Sequence, residues 1–412
     1  MRDVVIVEGK RTAIGSFGGS LKDVPVVELG AAVMKAALKE SGLRPQTSEE
    51  CIKFAPDAIR DEGRIGLEAQ FYDYDEGLQP VNVDMVYMGN VLPMGQGQNT
   101  CRQAMIRAGV SKETSATTVN KLCASGMEAV VLGTQAIRCG DADVVLAGGM
   151  ESMSRVPYAL PGARWGQRMG NGELVDLLIY DGLHEYFYGY HMGMTAENIA
   201  AAYGISRTEQ DELGVQSHNR ALAAIKDGLF DEEIVEILVP QRKGEPVSYT
   251  VDERPMETSL EKMGTLRTAF KKDGSVTAGN ASGINDAAAA LLLIAEEKAR
   301  DLGVKPLAKI KAYSSAGLDP AYMGLGPIPA VRKILAGHNH LITDFDSIEL
   351  NEAFAVQALA CMRELGCDLE KTNRLGSGIS LGHPIGCTGA RILVTLMKQM
   401  KRENQALGLA SL

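Results

Sequence analysis

Residues 117–131, TTVNKLCASGMEAVV, run from a β-branched stretch through Asn120 and Lys121 to a cysteine, a small-residue turn and an apolar helical pattern. This strand–turn–helix order sets Cys123 at or near a helix N-terminus. Unpaired N–H groups and the positive end of the helix dipole favour an anion there. A thiolate is such an anion and is the nucleophilic form of cysteine. Cys123 is therefore expected to be a low-pKa nucleophile that carries an acyl group. The chain has seven cysteines, and the others lack this setting.

The same alternation of strand-like and helix-like segments continues along the chain, the pattern of an α/β architecture with largely buried sheets. Residues 4–7 and 85–89 read as strands and 27–40 as an amphipathic helix. The helix after Cys123 reads on to 137, followed by a strand at 143–147 and a turn at Gly148–Gly149. Near the far end, 348–350 reads as a strand before a helix at 352–363, and 389–400 as a helix behind a glycine-rich loop. Each half thus delivers a reactive residue from a strand end into a helix start, so an internal duplication is expected. Residues 154–282, with Trp165 and the aromatics of 180–190, read as a long excursion from that plan. Residues 51–80 mix charges and tyrosines without a sustained period and read as a surface insertion.

At 412 residues, with 45% hydrophobic and 23% charged composition, the chain has material for two or three globular domains. A net charge of −10 with no basic stripe argues against a nucleic-acid or anionic-membrane partner. The scattered, odd-numbered cysteines show no metal-ligand spacing and suit free thiols in a reducing cytoplasm. The longest apolar run, 287–295, falls far short of the roughly 20 residues that span a bilayer. No targeting segment precedes the first strand, and a soluble protein is expected.

Three further stretches carry candidate chemistry. In GSGISLGHPIGCTGAR (376–391), His383 lies between Gly382 and Pro384 in a rigid loop, with Thr388–Gly389 opening a helix. In ELNEAFA (349–355), Asn351 either caps a helix or holds a water or histidine through its amide. SVTAGNASGIND (275–286) is a run of small and polar residues before a helix expected over 287–295, and it would let a thin ligand lie against backbone. A thiol, a base, an amide orienter and small-residue walls are the equipment of covalent acyl transfer. Papain-like peptidases use the same residue types, so the trio alone leaves the reaction open.

The motifs NKLCASG, NEAFA and GHPIGCTGAR, in that order across nearly the whole chain, resemble those of the thiolases, in particular their short-chain acetyltransferase members. The resemblance implies a duplicated five-layer α/β/α/β/α fold. Its N-terminal half would span 1–153, completed by about 285–305; a loop domain would span 154–284 and a C-terminal half 306–412. It implies that Cys123 takes the acetyl group and that His383 deprotonates it. Asn351 would hold the water that completes an oxyanion site. YGYHMGMTAEN (188–198) implies that Met192 lines the acyl pocket and that His191 lies near the pantetheine. Leu183, Ala278, Ser282 and Gly283 would line the pantetheine channel, and Ala353 and Phe354 would close the pocket. Arg254 is the nearest candidate for stacking on the adenine. Acetyl-CoA, acetoacetyl-CoA and CoA would be substrates and products, with no resident cofactor or metal, in a homodimer or homotetramer.

The sequence departs from the family pattern in three places. Residues 51–80 are additional. LGSGIS (375–380) replaces an NGGAIA-like stretch before the histidine. The chain stops at Leu412, where thiolases continue with a second catalytic cysteine and a glycine run. A selenocysteine codon read as stop, a truncation or a frameshift would each give that end point, leaving the C-terminal half without its last strands. Cys387, in the GHPIGCTGAR turn, is a weak substitute for that thiol. The expected reaction is condensation of two acetyl-CoA through acyl-Cys123, or its reverse. A longer-chain 3-ketoacyl-CoA thiolase and a weakly active acyl-CoA-binding subunit are the alternatives.

Overall fold

The computed structural model describes residues 2–412. Its first half is organised by strands β1 (Val4–Thr12), β2 (Met85–Gly89), β3 (Ser115–Val119) and β4 (Val144–Ser152) and by helices α1 (Val26–Glu40), α2 (Thr100–Arg107) and α3 (Ser125–Cys139). Glu28 in the first turn of α1 and Lys39 in its last complement the helix dipole. Gly140 stops α3 in the left-handed conformation, with φ 86°. The chain then makes its long excursion, which includes α4 (Gly193–Tyr203), α5 (Arg207–Lys226) and the short strand β5 (Ile234–Val235). A capping box of Ser206 and Glu209 starts α5.

The excursion ends in β6 (Asn285–Ala295), the middle of an eight-stranded sheet whose main path runs β5–β1–β6–β4–β2–β3. Strand β7 (Ala308–Lys309) adds a further pairing to β1. Strand β6 runs antiparallel to both of its neighbours, whereas β4, β2 and β3 are parallel. Residues 287–295 are thus a strand and not the helix expected from their alanines and leucines. Ala287, Ala289, Leu291 and Leu293 pack into one core and Ala288, Ala290, Leu292 and Ile294 into the other. A strand buried on both faces has no polar side, so its period of two leaves no trace in the hydropathy pattern.

The second half holds α6 (Pro327–His338), β8 (Ser347–Leu350), α7 (Ala355–Leu365), α8 (Ile385–Arg402) and β9 (Gly408–Ser411). Strands β8 and β9 pair in parallel. Five layers result. Helices α1 and α2 cover one face of the large sheet, and α3 and α8 the other. The far side of α8 meets β8 and β9, over which α6 and α7 pack.

Three further expectations change. Gly148 and Gly149 lie inside β4 and make no turn. Here glycine serves close approach, because a Cβ at Gly149 would overlap the Gly386 carbonyl oxygen at the start of α8. Helix α7 begins at Ala355, leaving Asn351–Phe354 as a loop, and α8 begins at Ile385, directly after Pro384. The stretch 51–80 carries short helices at Glu49–Lys53 and Gly66–Phe71. It returns to the core through Tyr74, whose hydroxyl donates to the Ala108 carbonyl at 2.7 Å. No helix among the described residues is long and apolar enough to cross a membrane.

Candidate active site

Cys123 sits between β3 and α3, in a turn where Leu122 adopts a positive φ of 48°. Ser125, at the start of α3, holds this turn. Its hydroxyl accepts from the Lys121 N–H at 2.8 Å and donates to the Leu122 carbonyl at 2.6 Å. His383 lies just before α8. Helices α3 and α8 cross at glycines: a Cβ at Gly126 would lie 2.9 Å from the Ala390 nitrogen and 3.0 Å from the Gly386 oxygen. That close crossing brings two residues 260 positions apart to a distance of 3.1 Å between Cys123 Sγ and His383 Nε2.

Burial raises the Cys123 thiol to about 11, and the buried Glu151 carboxylate adds to the rise. The expected low-pKa thiolate is therefore replaced by a neutral thiol, since desolvation outweighs the helix end. Burial also lowers His383 to about 3, with the Arg391 charge acting in the same direction. The resting pair is a neutral thiol facing a neutral imidazole. Such a pair acts by passing the Sγ proton to Nε2 as sulfur attacks.

The other ring nitrogen, Nδ1, lies 2.7 Å from Thr388 Oγ1. Asn285 Oδ1 accepts from the His383 backbone N–H at 3.0 Å, and the Asn285 amide donates to the Gly15 carbonyl at 3.0 Å. Asn351 Nδ2 is 3.5 Å from both ring nitrogens, so it sits astride the imidazole and aligns with neither. Its Oδ1 is buried without a protein partner. Its neighbour Glu352 accepts from Ser217 Oγ at 2.6 Å and Asn373 Nδ2 at 2.9 Å, pinning the loop that precedes His383. Behind the cysteine, Glu151 accepts from Asn90 Nδ2 and from the backbone N–H groups of Val91, Leu92 and Gly386 at 2.7–3.1 Å. That carboxylate fastens the loop after β2 to the start of α8; burial raises it to about 7.

Cys123 and Met192 line a cavity of about 1920 Å³, together with Leu122, Met127, Tyr180 and Phe187. The other predicted channel and pocket residues stand outside its wall. Leu183 packs in the apolar cluster that also contains Cys123, and its carbonyl accepts from Met192 N–H at 2.8 Å. His191 stacks on Phe270 at 4.6 Å, and Phe270 meets Phe354 edge-on. The Ser282 N–H donates to the Ala353 carbonyl at 2.9 Å, joining the small-residue stretch to the NEAFA loop. Ala278 is exposed on a turn held by Asn280, and Gly283 abuts Arg254.

Arg254 is tied to the backbone on both sides of its loop. Its half-buried guanidinium donates to the carbonyls of Ile379 and Ala281 at 2.7 and 3.0 Å. Cys387 is fully buried between the helices and the sheet, away from the cavity, with its thiol pushed up to about 12. Sequence reasoning missed Glu151, Asn285 and the contact of Thr388 with His383, because their partners are distant in the chain or depend on where α8 starts.

Comparisons with known proteins bear on the family and the fold. The model of the thiolase N-terminal domain matches residues 4–53 and 69–297, and that of the C-terminal domain matches 304–412. Residues 54–68 fall between the matched segments, within the stretch read as an insertion. An acetyl-CoA acetyltransferase of Cupriavidus necator is 48% identical, covering 100% of this chain and 96% of the relative. One from Pseudomonas aeruginosa is 49% identical with the same coverage. The crystal structure of the Bacillus anthracis acetyl-CoA acetyltransferase superposes with a TM-score of 0.88 at 42% identity, covering 100% of this chain and 95% of that one.

Proposed function

The chain belongs to the thiolase family, and from that premise we propose that it is an acetyl-CoA C-acetyltransferase working through an acetyl-Cys123 intermediate. The observation that carries this reading is the 3.1 Å contact of the Cys123 thiol with His383 Nε2, in a residue that lines the same cavity as Met192. In acyl capture, His383 takes the Sγ proton and sulfur attacks the thioester carbonyl. The tetrahedral oxyanion collapses, CoA leaves as the thiol with the proton from His383, and the acetyl group stays on sulfur. The Asn351 amide, astride the imidazole, supports the oxyanion assignment through a bound water. A second acetyl-CoA would then give up an α-proton to a base and its enolate would attack acetyl-Cys123; the C–S bond breaks, acetoacetyl-CoA forms, and Cys123 leaves as the thiol carrying that proton. Cys387, closed off from the cavity, is not the group that moves this α-proton.

The pantetheine-channel and pocket roles of Leu183, His191, Met192, Ala278, Ser282, Gly283, Ala353 and Phe354 rest on motif matches. The contacts of Ser282 with Ala353 and of His191 with Phe270 and Phe354 support grouping them. A homodimer or homotetramer in the cytoplasm is part of the same reading. Among the described residues all seven cysteines are free, as a reducing compartment favours. The hairpin arm over 158–176 holds Trp165 and Met169 81% and 92% exposed, apolar surface of the kind that pairs with a second copy.

The test is incubation with acetyl-CoA and mass analysis of the Cys123 peptide. An added acetyl group on that peptide, absent in Cys123→Ala, is expected. Folded protein with no adduct would overturn the reading, and capture that improves with acyl length would shift it to a longer-chain thiolase.

A further inference from the structure

The contacts of His383 bear on which of its nitrogens carries the proton. Thr388 lies in the first turn of α8, and its Oγ1 is 3.0 Å from the Pro384 carbonyl oxygen four residues back. A carbonyl oxygen only accepts, so this contact is a hydrogen bond only with the single Thr388 hydroxyl proton pointing at Pro384, whose carbonyl also takes the Cys387 and Thr388 N–H groups at 2.8 and 3.0 Å. With the proton so placed, Oγ1 has only lone pairs to offer His383 Nδ1, which lies 2.7 Å away. That contact is a hydrogen bond only if Nδ1 carries the proton. A neutral imidazole protonated at Nδ1 is a lone-pair acceptor at Nε2, the atom 3.1 Å from Cys123 Sγ.

We propose that Thr388 is a positioning residue that fixes the His383 tautomer, so that the base presented to Cys123 always has its acceptor nitrogen toward the thiol. Thr388 does this by a relay of fixed direction: Pro384 carbonyl, Thr388 hydroxyl, Nδ1–H, Nε2 lone pair, Sγ–H. The start of α8 at Ile385 gives Thr388 its place, since a residue in the first turn is the one that can bond back to Pro384 while facing the preceding loop. The Asn285 side chain holds the His383 backbone N–H from the other side at 3.0 Å and limits how far the ring can swing. With the acceptor at Thr388 removed, Nδ1–H would face a methyl group. The alternative tautomer would then aim N–H at sulfur and leave the thiol without a base.

This inference rests on the acyl-transfer reading only in taking Cys123 as the nucleophile, and the two are separable by reagent. Iodoacetamide reads the thiol directly, and acetyl-CoA reads the thioester chemistry. In Thr388→Val, a near-isosteric change, Cys123 alkylation at neutral pH is expected to slow about 10²-fold, the low end of what a positioned general base contributes. Its rate should climb with pH toward wild type as the thiol ionises unaided. Thr388→Ser keeps the hydroxyl and is expected to retain the wild-type rate and pH profile. In wild-type protein labelled with ¹⁵N-histidine, the His383 signals, identified by their loss in His383→Gln, should show a protonated Nδ1 and a bare Nε2. A wild-type ring protonated at Nε2, or a Thr388→Val protein with unchanged rate and pH profile, would overturn the proposal. The ¹⁵N measurement decides it even if Thr388→Val does not fold. Normal alkylation without acetylation by acetyl-CoA would instead reject the function proposed above and leave the tautomer assignment standing.

Discussion

At Cys123 two effects oppose each other. The end of α3 favours a thiolate, while desolvation and the charge of Glu151 favour the thiol, and the second pair prevails, leaving the group near 11. His383, near 3, stays neutral far below the usual imidazole range. The sign of the pH dependence follows. Falling pH protonates the base only near its lowered value, and rising pH ionises the thiol only near its raised one. Between them, from about pH 5 to about 9, the rate of Cys123 acylation is expected to be flat apart from a shallow step near 7, where Glu151 ionises. Stopped-flow release of CoA at varied pH checks this. An inflection near pH 8.5, the ordinary thiol range, would mark an uncoupled thiol. His383→Gln should lower the neutral-pH rate by about 10²–10⁴-fold. The candidate nucleophile and its partner, 3.1 Å apart in the fold, could be named from the sequence because position before a helix and a glycine frame are local signals. The protonation state was not, because it depends on burial and on Glu151, which the fold brings up from another strand.

The elements that carry the site are held by backbone-to-backbone approach, and this gives the glycines of β4 and α3 a measurable role. A methyl group at Gly149 would overlap the Gly386 carbonyl, so either β4 or α8 must shift. Gly149→Ala is expected to cost about 1–3 kcal/mol or more, as overpacking does, and to slow Cys123 acylation because the α3–α8 crossing moves with it. Gly337→Ala in α6 is the control: a Cβ there meets nothing within 4 Å, and the change is expected to be neutral or stabilising by up to about 1 kcal/mol. Urea unfolding midpoints compare the two, and equal effects would sink the argument. Gly148–Gly149 read as a turn for the same reason that 287–295 read as a helix. Composition shows what a residue tolerates locally, and both segments are decided by what lies across the sheet. Segments with one polar face, such as α1, were legible to within a residue.

For the whole molecule, the question is what fastens the long excursion back onto the large sheet. Arg11 of β1 is fully buried, with Nε 2.6 Å from Glu233 and Nη1 2.7 Å from Asp252, its guanidinium lying over the Phe230 ring. Both carboxylates come from the second half of the excursion. Glu233 also accepts from Thr395 Oγ1 on α8 at 3.1 Å, and Asp252 from the Ile14 N–H at 2.7 Å. The cluster thus joins the sheet, the excursion and the helix that follows His383. Nothing near Arg11, Glu233 or Asp252 in the chain marks them as partners, so the five layers were legible through the family motifs while their fastening was not. Removing one charge leaves the others buried without compensation. Asp252→Asn is therefore expected to destabilise by about 3–5 kcal/mol. If the loss reflects stranded charge and not a lost attraction, replacing the whole cluster with apolar residues of similar volume (Arg11→Met, Glu233→Met, Asp252→Leu) should restore much of it. Denaturant titration of wild type, single and triple variants decides between these. A triple variant less stable than Asp252→Asn would mean that the ion cluster itself holds the excursion in place.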